Sequence, residues 1–167
     1  MLKSLAIGKE AEDELVEHLN SIGFSAKRNE VKELRYDYDV LAFSTGDYEI
    51  NHKASHAGIT ANFITFEVKN DAMASKTGNV AIEYYNSKQC KPSGIYVTKA
   101  KWWVHKIDGI LWVCEVEKLI NFTKTEKADR MIVGGGDKNA DLFIYRVDRF
   151  TDICRDLKTM VTPEEFL

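Results

Sequence analysis

Apolar positions along the chain recur with two different spacings, and the change of spacing marks the predicted elements. Near the start, apolar residues recur at helical spacing over residues 4–22, and Gly23 follows where a helix would end. Three short apolar or alternating runs then predict strands at residues 24–29, 39–44 and 62–69. The first part of the chain therefore predicts one helix followed by three strands.

The rest of the chain predicts further helices and strands in mixed order. Residues 79–88 follow a turn-like Thr-Gly pair and predict a second helix, with Asn79 as its N-cap. Further strands are predicted at residues 95–98, 110–116 and 142–147, and short helices at residues 117–122 and 150–160. Two polar or glycine-containing stretches, residues 45–61 and 123–141, predict loops.

This order of elements indicates an α/β protein in which a central mixed β-sheet is flanked by helices. A length of 167 residues is typical of one compact domain, here residues 1–167. With 44% apolar and 29% charged residues, the composition supports an ordinary hydrophobic core. The formal net charge of -3 argues against a generally basic surface, so any contact with DNA must come from local basic patches.

The cysteines and the hydropathy pattern bear on cellular location. Cys90, Cys114 and Cys154 are odd in number, far apart in sequence and in no metal-ligand spacing, which indicates reduced thiols and a cytoplasmic protein. The chain begins with a charged amphipathic segment and contains no apolar run long enough to span a bilayer. We therefore expect no membrane partner.

A short acidic and basic motif carries the candidate chemistry. Because side chains alternate along a strand, Glu67 and Lys69 are expected on one face of the 62–69 strand and Val68 on the other. Asp39 begins a second apolar strand. Mg²⁺ usually takes one or two protein carboxylates, so Asp39, Glu67 and the carbonyl of Val68 would suffice as ligands. Lys69 would then orient water or stabilise the charged transition state of phosphodiester hydrolysis.

A further acid could complete this site. Glu14 and Glu10 lie on the first predicted helix and could reach the site through water or a second metal ion. Glu14 is preferred because it is nearer the helix centre, among Ala11 and Leu15, although spacing alone does not choose between them.

The Asp39 strand, the Glu67–Lys69 step, the leading-helix acid and the helix after the lysine together resemble the PD-(D/E)XK nuclease superfamily over about residues 4–100. The resemblance implies a restriction-endonuclease-like core, dependence on Mg²⁺ or Mn²⁺ and cleavage of DNA phosphodiesters. Within the superfamily, the chain is most similar to the Holliday-junction-resolvase and phage-nuclease branches. Tyr38 stands where the motif has proline, and the long interval to Glu67 leaves Asp37 and Asp47 as rival ligands.

Residues 75–83 also resemble a stretch found after the lysine in phage and bacterial members of the superfamily. On that resemblance, Lys76 and Glu83 would face the site or the DNA backbone, and Glu83 is a further candidate for the auxiliary acid. A turn, a helix cap and a solvated glutamate would explain the same residues.

Cations interleaved with aromatic residues form the main candidate DNA surface, because aromatic rings stack on bases while cations neutralise phosphate. These residues are Lys99, Lys101, Trp102, Trp103, His105 and Lys106. In the alternative interpretation, one tryptophan is a core residue and the lysines form a solvated edge, and Trp103 is preferred for the core position. A second basic group, suited to positioning phosphate, comprises Lys27, Arg28, Lys32 and Arg35.

The sequence therefore favours a metal-dependent DNA endonuclease, with branched or otherwise structured DNA among its candidate substrates. A homodimer would supply the two sites needed to cut two strands, an expectation that comes from the resemblance. The alternative is a non-catalytic DNA-binding or protein-interaction domain on the same fold. A zinc hydrolase using His52, His56 and Asp47 is a more remote interpretation.

Overall fold

Two β-sheets packed face to face form the part of the protein that the computed structural model describes, residues 2–30, 37–44, 63–134 and 139–167. The helices are α1 (Leu2–Ser21), α2 (Ala74–Thr77), α3 (Val116–Thr125) and α4 (Val147–Thr151). The strands are β1 (Phe24–Arg28), β2 (Val40–Ser44), β3 (Ile64–Asn70), β4 (Asn79–Asn86), β5 (Lys91–Pro92), β6 (Trp102–Ile107), β7 (Ile110–Glu115), β8 (Arg130–Gly134), β9 (Ala140–Arg146) and β10 (Arg155–Asp156). Short 3-10 helices occupy Gly94–Tyr96, Leu157–Thr159 and Pro163–Phe166.

The larger sheet has six strands in the order β1-β2-β3-β6-β7-β10. β3 and β6 are parallel, whereas the other neighbours are antiparallel, so the sheet is mixed. The buried stripe Ala11, Leu15 and Leu19 of α1 packs on one face of this sheet, against a core that includes Phe66 and Val104. The register thus directs every second side chain of β3 and β6 towards α1.

The smaller sheet, in the order β5-β4-β9-β8, covers the opposite face together with α3. Trp103 of β6 joins a second apolar cluster with Val80 and Ile82 of β4 and Leu119 of α3. Helices therefore lie on both sides of a central mixed sheet, and the predicted α/β fold class is confirmed. The predicted elements at 4–22, 24–29, 39–44, 62–69, 110–116, 117–122 and 142–147 are confirmed with small changes of boundary.

The predicted helix at residues 79–88 is wrong, because this segment forms strand β4. Val80 and Ile82 are fully buried and alternate with less buried neighbours, which is the period of a strand. Antiparallel pairing with β9 extends along the segment and satisfies its backbone groups. Asn79 begins this strand and does not cap a helix, so the helix after the lysine is the single turn α2.

Three other predicted elements are corrected by the structure. Residues 95–98 form no strand, because Gly94 adopts a φ of +51° and starts a 3-10 helix that buries Ile95. The helix predicted at 150–160 is only the short α4, followed by β10 and a 3-10 helix. The loop predicted at 123–141 contains the end of α3, strand β8 and the start of β9.

The predicted loop at 45–61 lies outside the described residues, as do Asp47, His52 and His56. In the ranges that are described, no helix is both long and apolar enough to cross a membrane.

Gly94 joins the smaller sheet to the segment that leads back to β6, and its contact with β4 generates a stability prediction. A Cβ atom at Gly94 would lie 2.2 Å from the carbonyl oxygen of Glu83, in addition to the strain of its positive φ. We expect Gly94→Ala to lower the free energy of unfolding by about 2 to 4 kcal/mol in chemical denaturation. Gly109→Ala is the matched control, because Gly109 has a φ of +74° but open space around it. Gly109→Ala should lower the free energy of unfolding by only about 1 to 2 kcal/mol. Equal decreases for the two variants would contradict a role for the close approach of Gly94 to the Glu83 carbonyl oxygen.

Candidate active site

A cleft of about 730 Å³ opens where the ends of β2 and β3 face β4 and the segment from β5 to Thr98. Its charged lining residues are Asp37, Asp39, Glu67, Lys69, Glu83 and Lys91. Four carboxylates and two ammonium groups give this cleft an excess of negative charge. Such a cleft favours a cation and needs added positive charge before it can hold phosphate.

Glu67 and Lys69 extend from the same face of β3, as the alternation of a strand requires. Lys69 Nζ donates a hydrogen bond to Glu67 Oε1, and Thr98 Oγ1 donates to Glu67 Oε2 at 3.1 Å. Val68, between them, points to the other face and packs in the core beneath α1. Both carboxylate oxygens of Glu67 are therefore held in place at the wall of the cleft.

Asp39 immediately precedes β2 and is fixed by the backbone of β3. Its N–H donates to the carbonyl oxygen of Phe66 at 2.8 Å, and the N–H of Val68 donates to Asp39 Oδ2 at 2.7 Å. Burial, followed by the charge of Glu67, raises the pKa of Asp39 to about 6, against the lowering effect of Lys69. The charge of Glu67 thus acts on Asp39 as that of a second carboxylate in one site.

Lys69 supplies the positive charge nearest these carboxylates. Burial alone would lower its pKa, but the charges of Glu67 and Asp39 outweigh burial, and the pKa of Lys69 lies above its ordinary value. Its Nζ also lies 5.6 Å from the centroid of the Trp103 ring, within the range of a cation–π contact. Lys69 is therefore a fixed ammonium group at neutral pH.

Asp39 and Glu67 provide the hard oxygen donors that a divalent cation prefers. A cation bound in place of the proton would offset the burial and the charge of Glu67 that raise the pKa of Asp39. Within the described ranges, no group of three His, Cys, Asp or Glu side chains is placed to hold a metal ion. Two carboxylates leave the remaining positions of Mg²⁺ to water and substrate, which is its usual mode of binding. The Val68 carbonyl as a third ligand stays a prediction.

The structure does not bring Glu14 to this group. Its Oε1 accepts a hydrogen bond at 2.6 Å from Lys106 Nζ, which also donates to Glu10 Oε1 at 3.0 Å. Lys106 belongs to β6 but points to the α1 side, opposite to Glu67 and Lys69. Glu14 lines a separate cavity of about 410 Å³ with His18 of the same helix.

Glu12 is the acid of α1 that is electrostatically linked to the site, and the sequence reasoning missed it. Its charge raises the pKa of Asp39, and Lys69 in turn lowers the pKa of Glu12. Burial, the largest effect, leaves the pKa of Glu12 above its ordinary value despite Arg28. Glu12 and Glu14 lie on opposite sides of the buried stripe of α1, so helical spacing alone could not show which acid acts on Asp39.

The rival acids occupy different positions. Asp37 lines the cleft, but its carboxylate pairs with Lys99, whose Nζ lies 3.1 Å from Asp37 Oδ1. Glu83 lines the opposite wall, on β4, and its charge contributes to the raised pKa of Lys69. Asp39 and Glu67 are thus the two acids whose charges act most strongly on Lys69.

Trp102 is not available for stacking on a base, and this part of the predicted DNA surface is wrong. The side chain is buried in the core beneath α1, its Nε1–H donates to the carbonyl oxygen of Phe166 at 3.1 Å, and its ring packs edge-on against that of Phe166. Lys101 is exposed, but its Nζ donates to the same carbonyl oxygen at 3.2 Å. Alternation along β6 places the neighbouring Trp103 in the opposite core, so both rings are internal.

The remaining basic candidates differ in exposure. Lys76 on α2 and Lys99 are exposed, although Lys99 is paired with Asp37. His105 and Lys106 are buried in β6. Residues 32 and 35 of the second basic group lie outside the described residues, and Arg28 pairs with Asp13.

No family model matches the chain, and no curated protein matches it. Among solved structures, the protein is similar to Hjc, a Holliday junction resolvase of the archaeal hyperthermophile Archaeoglobus fulgidus, with 11% sequence identity and a TM-score of 0.47. The similarity covers 92% of this chain and 94% of that chain.

The raised pKa of Asp39 generates a prediction about stability and pH. The folded protein keeps the Asp39 proton up to about pH 6, whereas the unfolded chain releases it near the ordinary value of 3.8. The folded state therefore binds more protons between these values, and the free energy of unfolding falls as the pH rises through them.

We expect Asp39→Asn, which cannot ionise, to stabilise the metal-free protein by up to about 3 kcal/mol near pH 8 and to have little effect near pH 4. Urea denaturation at both pH values in the presence of a chelator measures this difference. A substitution effect that does not change with pH would contradict the assignment.

Proposed function

We propose that this protein is a divalent-metal-dependent DNA endonuclease that hydrolyses phosphodiester bonds. The observation that carries the proposal is the convergence of Asp39, Glu67 and Lys69 on one wall of an accessible, acidic cleft. Two carboxylates beside a charged lysine match the requirements of metal-assisted attack on an anionic phosphodiester.

Asp39 and Glu67 are the residues that would hold the cation, with Mg²⁺ or Mn²⁺ as the expected ion and the Val68 carbonyl as a further ligand. A divalent cation bound there would polarise a phosphate oxygen and lower the pKa of an attacking water. The Val68 N–H occupies Asp39 Oδ2, and in the described part of the chain no hydrogen bond reaches Asp39 Oδ1. One oxygen of Asp39 is thus available to a cation.

Lys69 acts as an electrostatic group in this proposal, because its raised pKa keeps it protonated. Its ammonium group, anchored on Glu67, lies at the cleft wall and would stabilise negative charge that develops on the phosphate. Thr98 fixes the other oxygen of Glu67 and so prevents that carboxylate from rotating away from the cleft. The auxiliary acid on α1 would be Glu12, which would act through water on the group formed by Asp39, Glu67 and Lys69.

DNA would enter along the opposite wall of the cleft, at the hairpin of β4 and β5. Asn86, Gln89 and Lys91 line this wall, and their amide and ammonium groups suit sugar and phosphate oxygens. Lys76 and Lys99 are exposed cations that could contact the backbone further along a strand. Because Lys101 and Trp102 are engaged by the backbone of Phe166, they have no part in this path.

The central prediction concerns the charged groups of β3. We expect Glu67→Gln and Lys69→Met each to reduce Mg²⁺-dependent cleavage by about 10²-fold to 10³-fold or more. Glu67→Gln removes a charge that would hold the cation, and Lys69→Met removes the charge that would stabilise the reacting phosphate. Nicking of a supercoiled plasmid with Mg²⁺, with Mn²⁺ and with chelator measures the rate, and circular dichroism verifies folding. Undiminished cleavage by a folded Glu67→Gln protein would refute the assignment.

A matched pair on α1 identifies the auxiliary acid. Glu12→Gln should slow cleavage about tenfold, as expected for an acid that acts through neighbouring groups. Glu14→Gln should leave the rate within about twofold, because distant and independent sites do not couple. The reverse result would return the role to Glu14.

The same assay separates the endonuclease from the alternative of a non-catalytic DNA-binding or protein-interaction domain. Cleavage that requires metal and Glu67 supports an enzyme, whereas binding without cleavage supports the alternative. A panel of four-way junction, flap, duplex and single-stranded oligonucleotides then tests branched or structured DNA as the substrate. Analytical ultracentrifugation with and without a junction tests the expected homodimer.

A further inference from the structure

Two buried side chains, Trp103 and His105, and the half-buried carboxylate of Asp71 form a hydrogen-bonded network beneath Lys69. The proposed chemistry has not used these residues. The indole Nε1–H of Trp103 donates to His105 Nδ1 at 3.2 Å, and His105 Nε2 lies 3.4 Å from Asp71 Oδ2. Trp103 and His105 are each only 1% exposed. They lie on the face of β6 that is turned towards Glu67 and Lys69.

The indole N–H of Trp103 determines the tautomer of the His105 imidazole ring. An indole nitrogen can only donate a hydrogen bond, so His105 Nδ1 must carry a lone pair. The ring proton of a neutral His105 is then on Nε2, from which it is donated to Asp71. The order of the network is therefore Trp103 to His105 to Asp71, and a proton on Nδ1 would break its first bond.

Asp71 anchors the network in the backbone. Its Oδ1 accepts hydrogen bonds from the N–H groups of Met73 and Ala74 at 3.1 and 2.9 Å, at the start of α2. Its Oδ2 is also 3.4 Å from the N–H of Ala81 in β4. Asp71 thus ties the end of β3 to the smaller sheet, and its carboxylate cannot rotate away from His105 without losing these bonds.

The other end of the network reaches the proposed active site. The Trp103 ring lies beneath the Lys69 ammonium group, with Nζ 5.6 Å from the ring centroid. In the pairing of β3 with β6, Trp103 is the partner of Glu67 and His105 is the partner of Lys69. The orientation of the indole plane therefore determines one boundary of the space that the lysine can occupy.

We infer that Asp71, His105 and Trp103 form a positioning network that fixes the indole face under Lys69 and so holds its ammonium group at Glu67 and the cleft. The inference rests on the proposed function for its catalytic consequence, whereas the tautomer and the position of Lys69 are properties of the protein alone. None of the three residues touches the substrate in this scheme.

The first test is nuclear magnetic resonance of the metal-free protein. This measurement does not depend on nuclease activity. Correlation spectra of the imidazole nitrogens should show His105 as the Nε2–H tautomer at neutral pH. Trp103→Leu removes the ring and should abolish the ring-current shift of the Lys69 side-chain protons. A proton on Nδ1, or unchanged Lys69 resonances in Trp103→Leu, would overturn the inference.

The second test compares two tryptophans of the same strand. Trp103→Phe keeps an aromatic face but removes the N–H, and it should lower kcat about tenfold with little change in KM, because a misplaced catalytic group slows the chemical step. Trp102→Phe removes another hydrogen-bonded N–H of a buried tryptophan, on the opposite face, and should leave kcat within about twofold. Equal losses in kcat would show a merely structural role and overturn the positioning role.

The two tests separate this inference from the proposed function. If the protein shows no metal-dependent cleavage but the His105 tautomer and the Lys69 shift are as expected, the network is present and the nuclease assignment is wrong. If cleavage occurs but Glu67→Gln does not affect it, the assignment of the active site is wrong. If Glu67→Gln abolishes cleavage but Trp103→Phe and Trp102→Phe behave alike, the assignment stands and the positioning role is refuted.

Discussion

The backbone pairing of β2 with β3 forces two carboxylates together, and the rest of the site depends on the ammonium group that balances them. The N–H of Asp39 and that of Val68 form the two bonds that hold the Asp39 carboxylate against β3, one residue from Glu67. Without Lys69, two neighbouring anions at a partly buried position would repel each other. The hydrogen bond from Lys69 to Glu67 reduces that repulsion, yet burial, followed by the charge of Glu67, still raises the pKa of Asp39. A cation at this position would favour the ionised carboxylate, and that is the physical basis for a metal ion in the proposed chemistry.

The two faces of the central sheet separate packing from chemistry. On the α1 side, Val68 and Phe66 of β3 are core residues, and Lys106 is neutralised by Glu10 and Glu14. On the other side, β3 presents Glu67 and Lys69, and the second sheet supplies the facing wall of the cleft. Because alternate residues of one strand serve both purposes, a shift of β3 by one residue would bury the charges and expose the core. The hydrophobic core therefore also maintains the register of the site.

The second sheet covers one face of the larger sheet and supplies the facing wall of the cleft. Its contact with the segment before β6 requires Gly94, since any side chain there would meet the Glu83 carbonyl oxygen. Asp71 provides a polar connection between the sheets, because its carboxylate bonds to the N–H of Ala81 and to His105. These contacts join residues far apart in sequence, and they place Glu83 and the β4–β5 hairpin opposite Glu67. The proposed DNA path thus depends on packing between the sheets.

The sequence by itself determined the faces of β3, because alternation follows from the covalent geometry of any extended strand. The same local reasoning predicted strands β1, β2, β3, β7 and β9 and the meeting of Asp39 and Glu67 in one cleft. It predicted no strand at β6, and the short apolar run in β4 fitted a helix or a strand equally. Only the tertiary structure decided that Trp102 is internal and that Glu12, rather than Glu14, acts electrostatically on Asp39. Contacts between distant segments decide how α1 is rotated about its axis and which segments pack over each face of β6. The spacing of residues along the chain carries no information about these contacts.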